Sequence, residues 1–145
     1  MIALLLTIGA PTVEAMPLTP YDEHLARGAQ QQLNAVIESS CRFSDGQRAM
    51  VCDVALEKAV RDAEAFDKQV MPDAELRYLV GLAQRYLGNA RRARKWFEQS
   101  LALEPLHVAA SYDLGELMLI AGDLDEAQRC FERVAAHNPD KTTQW

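Results

Sequence analysis

Apolar residues in the second half of the chain recur at intervals of three and four, which is the spacing of one helix face. Two such stretches flank Gly122, with apolar positions at Leu114, Met118 and Ala121 before it and at Ala127, Phe131 and Val134 after it. Because Gly commonly interrupts or ends a helix, the pattern predicts two amphipathic helices that meet at Gly122. The expected unit is a helix hairpin.

The same pattern occurs upstream, at a separation of about 34 residues that is typical of helical repeats. We call this separation the repeat period. Five pairs of residues share it: Gly81 and Gly115, Gly88 and Gly122, Ala93 and Ala127, Phe97 and Phe131, and Pro105 and Pro139. Gly inside a helix is about 1 kcal/mol less favourable than Ala, so Gly81 and Gly115 indicate close approach of the paired helix. Ala93 and Ala127 should let each hairpin close, with Phe97 or Phe131 filling the gap beside the small residue as a buried ring. The two Pro residues should end the second helices.

A repeat period of this length, with small residues at two places, an Ala-x3-Phe pair and a closing Pro, resembles the tetratricopeptide repeat. The resemblance covers two units in residues 74–139. It implies an all-α fold of stacked helix hairpins, an α-solenoid, whose function is binding a protein or peptide partner. The chain departs from the family signature at Arg77 and Ser111, where the signature has Trp, and at Gln84 and Met118, where it has Tyr.

The pattern of capping and apolar residues in residues 19–71 predicts a pair of helices that precedes the two units in residues 73–139. Thr19 and Pro20 are suited to starting a helix, which we expect to run to about Ser40. A second helix is expected from about Met50 to Val70, before Pro72, and Asp73 should cap the first repeat. A shift by one repeat period matches only Ala59 here, so we interpret the pair as a cap and not as a third repeat.

Residues 1–18 contain the apolar run Ile2 to Ala10, followed by Val13-Glu14-Ala15, which fits a cleavage site. This pattern is typical of a signal peptide and predicts a periplasmic or secreted protein, although no Lys or Arg precedes the run. The alternative is that the segment is retained against the first helix in a cytoplasmic protein.

The first two cysteines bracket the turn Phe43-Ser44-Asp45-Gly46. We expect Cys41 at the end of one helix and Cys52 in the first turns of the next, where an oxidising compartment would allow a disulfide. The alternative is two unpaired, buried thiols. Cys130 is expected to pack in the core, and the cysteine spacing fits neither a redox motif nor a metal site.

In tetratricopeptide repeat proteins, the family that this chain resembles, the first helix of each unit lines a concave groove. The matching residues are Tyr78, Leu82, Arg85 and Tyr86 in the first unit and Tyr112, Asp113, Glu116, Leu119 and Ile120 in the second. Tyr supplies a large contact area at a low entropic cost, which favours a binding face. The alternative is that these rings pack between helices. A clamp of Lys and Asn for chaperone tails is absent from these positions.

A basic patch is formed by Arg91, Arg92, Arg94 and Lys95, in the first turns of a helix that Asn89 is expected to cap. Cations at a helix N-terminus oppose the helix dipole by about 0.3–1 kcal/mol each. The patch therefore suggests an acidic partner surface or an anionic envelope polymer, and the alternative is a solvated convex face.

Composition excludes several classes of function. The formal net charge of −6 argues against a nucleic-acid partner, and no apolar run reaches the roughly 20 residues that a membrane span needs. Because no nucleophile motif, phosphate loop or metal-ligand spacing occurs, we expect neither an enzyme nor a cofactor.

The sequence therefore favours a non-enzymatic adaptor or scaffold in a bacterial cell-envelope assembly. A second hypothesis is self-association as a homo-oligomer through the C-terminal helix. Residues 140–145 are either a tail or the start of a truncated third repeat, since Trp145 follows Ser111 by one repeat period. A third hypothesis is a cytosolic regulatory adaptor.

Mass analysis of the native protein tests the export prediction. We expect a mature chain that begins at Met16, with Cys41 and Cys52 joined until reductant is added. Recovery of the full-length chain from cytosol with both thiols free would contradict export and the disulfide together.

Overall fold

A computed structural model describes residues 18–43, 50–52 and 54–137 of the chain. The six helices in these ranges are α1 (Pro20–Ser40), α2 (Val54–Gln69), α3 (Ala74–Tyr86), α4 (Ala90–Leu103), α5 (Val108–Ala121) and α6 (Leu124–His137). The helix hairpins predicted by the repeat are confirmed as α3–α4 and α5–α6. The proposed cleavage site, Pro139 and Trp145 lie outside the described residues.

Helix α1 begins where the sequence predicts it. The Thr19 hydroxyl accepts a hydrogen bond from the Asp22 amide at 3.2 Å, and the Asp22 carboxylate accepts one from the Thr19 amide at 3.0 Å. This reciprocal capping box satisfies backbone donors that the first helical turn leaves unpaired. Pro20, whose fixed φ suits the first helical position, follows the cap directly.

The connection between α1 and α2 contains two short strands, β1 (Cys41–Phe43) and β2 (Met50–Cys52). The prediction of a helix from Met50, with both cysteines in helices, is wrong. Backbone pairing across an antiparallel ribbon satisfies these amides and carbonyls instead, with Cys41 opposite Cys52. Cys41 is disulfide-bonded. Its pairing with Cys52, which this register would suit, stays a prediction.

Two hydrophobic clusters form the core. The first joins α1, α2 and α3, and includes Leu33, Leu56, Leu76 and Val80. The second joins α4, α5 and α6, and includes Phe97, Leu114, Met118 and Cys130. Tyr78 of α3 packs against both clusters, so the N-terminal pair and the repeats share a continuous apolar interior.

The same close contact recurs in both hairpins, one repeat period apart. A Cβ on Gly81 would lie 2.6 Å from Phe97 Cδ1, and one on Gly115 would lie 2.9 Å from Phe131 Cε1. Both distances are too short for a real carbon contact, so each helix backbone approaches the opposing ring as only Gly allows. The predicted close approach at these two glycines is confirmed.

Phe131 is not buried as the sequence predicts. The Phe97 side chain is 0% exposed, whereas Phe131 is only partly buried. The physical reason is that α5 packs over α4 and covers Phe97, while no helix follows α6 within the described residues.

Asn89 also differs from its predicted role. It lies at the N-cap position of α4, but its side chain makes no capping hydrogen bond. The Asn89 side-chain amide instead donates to Gln84 Oε1 at 2.9 Å, so it links the start of α4 to the buried Gln84 of α3.

These burial differences predict unequal effects of truncating the two rings. Phe97→Ala should lower the free energy of unfolding by about 3–5 kcal/mol, because it removes a fully buried ring. Phe131→Ala should lower it by less, since part of that ring already contacts solvent. Denaturant unfolding measures the loss of stability in both variants. Arg92→Ala, which changes an exposed residue, is the control and should change the free energy of unfolding very little. Equal losses for the two Phe variants would contradict the assigned burial.

Candidate functional site

The residues that the sequence places in a groove come from α3 and α5 and share one side of these helices. We call this surface the α3/α5 face. It consists of Tyr78, Leu82, Arg85 and Tyr86 on α3 and Tyr112, Asp113, Glu116 and Leu119 on α5. Spacings of three, four, seven and eight residues place each set on one side of its helix.

Arg85 connects the two helices of this face. Its Nη1 donates to Asp113 Oδ1 at 2.9 Å and to Glu116 Oε2 at 2.8 Å. The three side chains are between 13% and 33% exposed, so solvent screens the pairs only in part. One guanidinium thus ties two residues of α5 to α3. The sequence placed all three residues in the groove but did not identify this bridge.

Tyr78 has a structural role as well as a place on the face. Its ring centroid lies 5.9 Å from that of Phe97 and 5.1 Å from that of His107. Burial raises the pKa of Tyr78, and the neighbouring Asp113 raises it further, so the phenol stays protonated at neutral pH. This packing is the alternative that the sequence left open for the tyrosines.

Tyr112 is the accessible counterpart of Tyr78, one repeat period later in the chain. Its ring packs edge-on against Phe131 at 5.8 Å, and it is only partly buried. A hydrogen bond to Glu116 raises the pKa of Tyr112. Leu119 lies two turns further along α5 and is 54% exposed. Tyr112 and Leu119 therefore give the face an apolar part that a partner could reach.

Asp113 is the most enclosed carboxylate of the face. Burial raises its pKa, while a hydrogen bond from Tyr78 and the charge of Arg85 act in the opposite direction. The Asp113 carboxylate therefore interacts with Tyr78 and Arg85, which are both residues of α3. Glu116, with 33% of its side chain exposed, is more open to a partner than Asp113.

Sequence reasoning missed a polar contact at the edge of this face. His107 Nδ1 accepts a hydrogen bond from the Ala110 amide at 3.1 Å and caps α5. Its Nε2 lies 2.7 Å from Glu75 Oε2 of α3. The hydrogen bond with Glu75 raises the pKa of His107, whereas the Ala110 amide requires a lone pair on Nδ1 and opposes a second proton.

Asp73 forms an equivalent N-cap at the start of α3, the first helix of the first repeat. The Asp73 carboxylate accepts from the Leu76 amide at 2.8 Å and from Gln30 Nε2 of α1 at 2.6 Å. Asp73 and His107 are separated by one repeat period, so the same repeat position caps each first helix and contacts an earlier helix. This spacing is the sequence signal that could have revealed the His107 contact.

The predicted basic patch divides into paired and unpaired cations. Arg94 forms an ion pair with Glu98 at 2.8 Å. Arg91, Arg92 and Lys95 are exposed, and no carboxylate in the described part of the chain forms an ion pair with them. All four residues lie on α4, outside the α3/α5 face.

Metal ligation and membrane insertion find no support in the described residues. Across residues 18–43, 50–52 and 54–137, no group of His, Cys, Asp and Glu side chains is arranged to hold a metal ion. None of the helices described here has the length and apolar character needed to cross a membrane. Cys130 is fully buried, and burial raises the pKa of its thiol.

Residues 85–145 match the family model of the tetratricopeptide repeat. This range contains α4, α5 and α6, which supply the rings of both Gly–Phe contacts. The resemblance inferred from the sequence is confirmed over this range.

Two curated relatives contain a similar segment. The chain is 35% identical over 81 residues, 56% of its length, to the probable biofilm formation methyltransferase WspC of Pseudomonas putida, and this segment is 19% of that protein. It is 30% identical over 61 residues, 42% of its length, to tetratricopeptide repeat protein 1 of Schizosaccharomyces pombe, 6% of that protein. The chain thus spans less than a fifth of the length of either relative.

Among solved structures, the crystal structure of MamA is similar at 20% sequence identity and a TM-score of 0.48. The likeness covers 84% of this chain and 76% of MamA.

The double role of His107 yields a stability prediction. His107→Ala should lower the free energy of unfolding by about 1–3 kcal/mol, because it removes a cap and a partly buried hydrogen bond. His107→Asn retains a capping acceptor and should restore part of this loss. Thermal or denaturant unfolding measures both, and His137→Ala, an exposed histidine on α6, is the control. Equal effects of the two alanine variants would contradict the role of His107.

Proposed function

We propose that this protein is a non-enzymatic adaptor that binds a segment of a partner protein on the α3/α5 face. The tetratricopeptide repeats support a protein-interaction role. The observation that carries the proposal is the Arg85 bridge to Asp113 and Glu116, which fixes both helices beside one another before any partner arrives. A preorganised face loses less entropy on binding than a mobile one.

Two features of the face suit a partner segment. Tyr112 and Leu119 offer apolar contact area that is not fully covered within the described chain. The surrounding hydroxyls and carboxylates offer directional hydrogen bonds. Aromatic anchors beside polar groups are characteristic of the residues that dominate binding energy at interfaces.

The proposed location is the bacterial cell envelope. The apolar run before Ala15 supports export, and the disulfide-bonded Cys41 is consistent with an oxidising compartment. The methyltransferase activity in the name of the Pseudomonas relative is not part of this proposal, because the similar segment is less than a fifth of that protein. An adaptor role requires only the repeats.

Affinity capture from an envelope fraction of the source organism tests the proposal. Proteins retained by the wild-type chain should be lost with Tyr112→Ala and with Leu119→Ala, because each removes an accessible apolar contact. Helicity should be unchanged, and Arg92→Ala, an exposed change on α4 outside the face, serves as a control. Capture that is unaffected by both α5 variants would exclude this face.

One observation favours self-association as a second candidate function. Phe131, Val134 and Ala135 of α6 are partly exposed, whereas the equivalent Phe97, Ser100 and Leu101 of α4 are buried. A second copy could cover this apolar face of α6. Light scattering decides between the candidates: an oligomer that Val134→Glu dissociates supports self-association, and a monomer throughout the micromolar range excludes it.

A further inference from the structure

We infer that the α3/α5 face selects partner segments that carry a Lys or Arg side chain flanked by apolar residues. This inference rests on the proposed function and specifies the chemistry of the partner. It concerns the charge at the same face and makes no use of the basic patch on α4.

The charge balance at the face and its edge is negative. Glu75, Asp113 and Glu116 contribute three carboxylates, and Arg85 is the cation that pairs with two of them. Two negative charges therefore remain in excess when His107 is neutral, and one remains even when His107 is protonated. A surface with an excess of one sign of charge attracts and orients groups of the opposite sign.

The charge of Arg85 is already paired with two carboxylates of this chain. Its Nη1 already donates to both Asp113 and Glu116, at 2.9 and 2.8 Å. A partner carboxylate would have to compete with two carboxylates that this chain holds in place, and would add a third negative charge beside them. Like charges at such distances disfavour binding, so the face discriminates against acidic segments.

The exposed fraction of each carboxylate side chain indicates which of them a partner cation can reach. Side-chain exposure is 47% for Glu75 and 33% for Glu116, against 13% for Asp113. A Lys or Arg at Glu116 would also lie near Tyr112, since the two residues are one helical turn apart on α5. Attraction between a cation and an aromatic face adds to the ionic contact.

The preference for apolar residues beside the partner cation comes from exposed leucines on the same face. Leu82 of α3 is partly exposed, and Leu119 of α5 is 54% exposed. Contact with apolar residues on either side of the partner cation would bury these leucine side chains, which is favourable because it removes apolar surface from water. The α4 cations Arg91, Arg92 and Lys95 would instead favour acidic segments, so the two surfaces predict opposite partner charges.

Selection from a peptide library tests the inference without a known partner. A phage-displayed library of random short peptides is selected on the immobilised full chain, and enriched peptides are synthesised. We expect enrichment of Lys or Arg next to apolar residues. The dissociation constant of such a peptide should rise about tenfold with Glu116→Gln, the loss of one partly buried charge contact. Glu132→Gln, which removes an exposed charge from α6, should leave it unchanged.

The outcomes separate the inference from the proposed function. Basic peptides that are sensitive to Tyr112→Ala and Glu116→Gln support both. Peptides that are sensitive to Tyr112→Ala but neutral or acidic overturn the charge inference and leave the proposed function standing. Acidic peptides that require Arg91 and Arg92 overturn the inference and place binding on α4. Selected peptides that no α3/α5 variant affects, or the selection of none, overturn the proposed function itself.

Discussion

The contact between Gly81 and the Phe97 ring sets how closely α3 and α4 pack. A single added carbon at Gly81 would lie 2.6 Å from the ring, so α3 and α4 can pack this closely only without it. The same ring contacts Tyr78, which packs against both hydrophobic clusters. The closeness of one hairpin therefore determines where the first helix of the α3/α5 face lies. Repetition of the contact at Gly115 and Phe131 gives the second hairpin a similar geometry.

Polar contacts join successive units at the start of each first helix. Gln30 of α1 bonds to the Asp73 cap of α3, and Glu75 of α3 bonds to the His107 cap of α5. Each cap thus satisfies a helix terminus and also attaches that terminus to an earlier helix. This arrangement holds α3 and α5 side by side, and Arg85 completes the link further along the two helices. Residues of the proposed binding face therefore also contribute to the packing of the units.

The α3/α5 face and helix α4 carry different charge. The carboxylates of the α3/α5 face exceed its cation, whereas α4 exposes Arg91, Arg92 and Lys95. Arg91 and Arg92 occupy the first turn of α4, and the equivalent positions of α6 are Asp125 and Glu126. Since the helix dipole favours acidic residues there, the α4 cations are not explained by the stability of their own helix. They form a second charged surface, opposite in sign to the α3/α5 face.

The repeat, the division of each unit into two helices and the close approach at Gly81 and Gly115 could be predicted from the sequence, because they follow from local periodicity and from spacings that recur once per repeat. Tertiary structure alone decided the strand at Met50–Cys52, since a backbone pairing with Cys41–Phe43 competes there with helical preference. It also decided the partners of Arg85, which lie far along the chain and have no counterpart in the repeat pattern. The partial exposure of Phe131 likewise depends on what packs over α6. A repeated sequence specifies contacts within a unit, whereas burial and charge pairing between units depend on which side chains the stacking brings together.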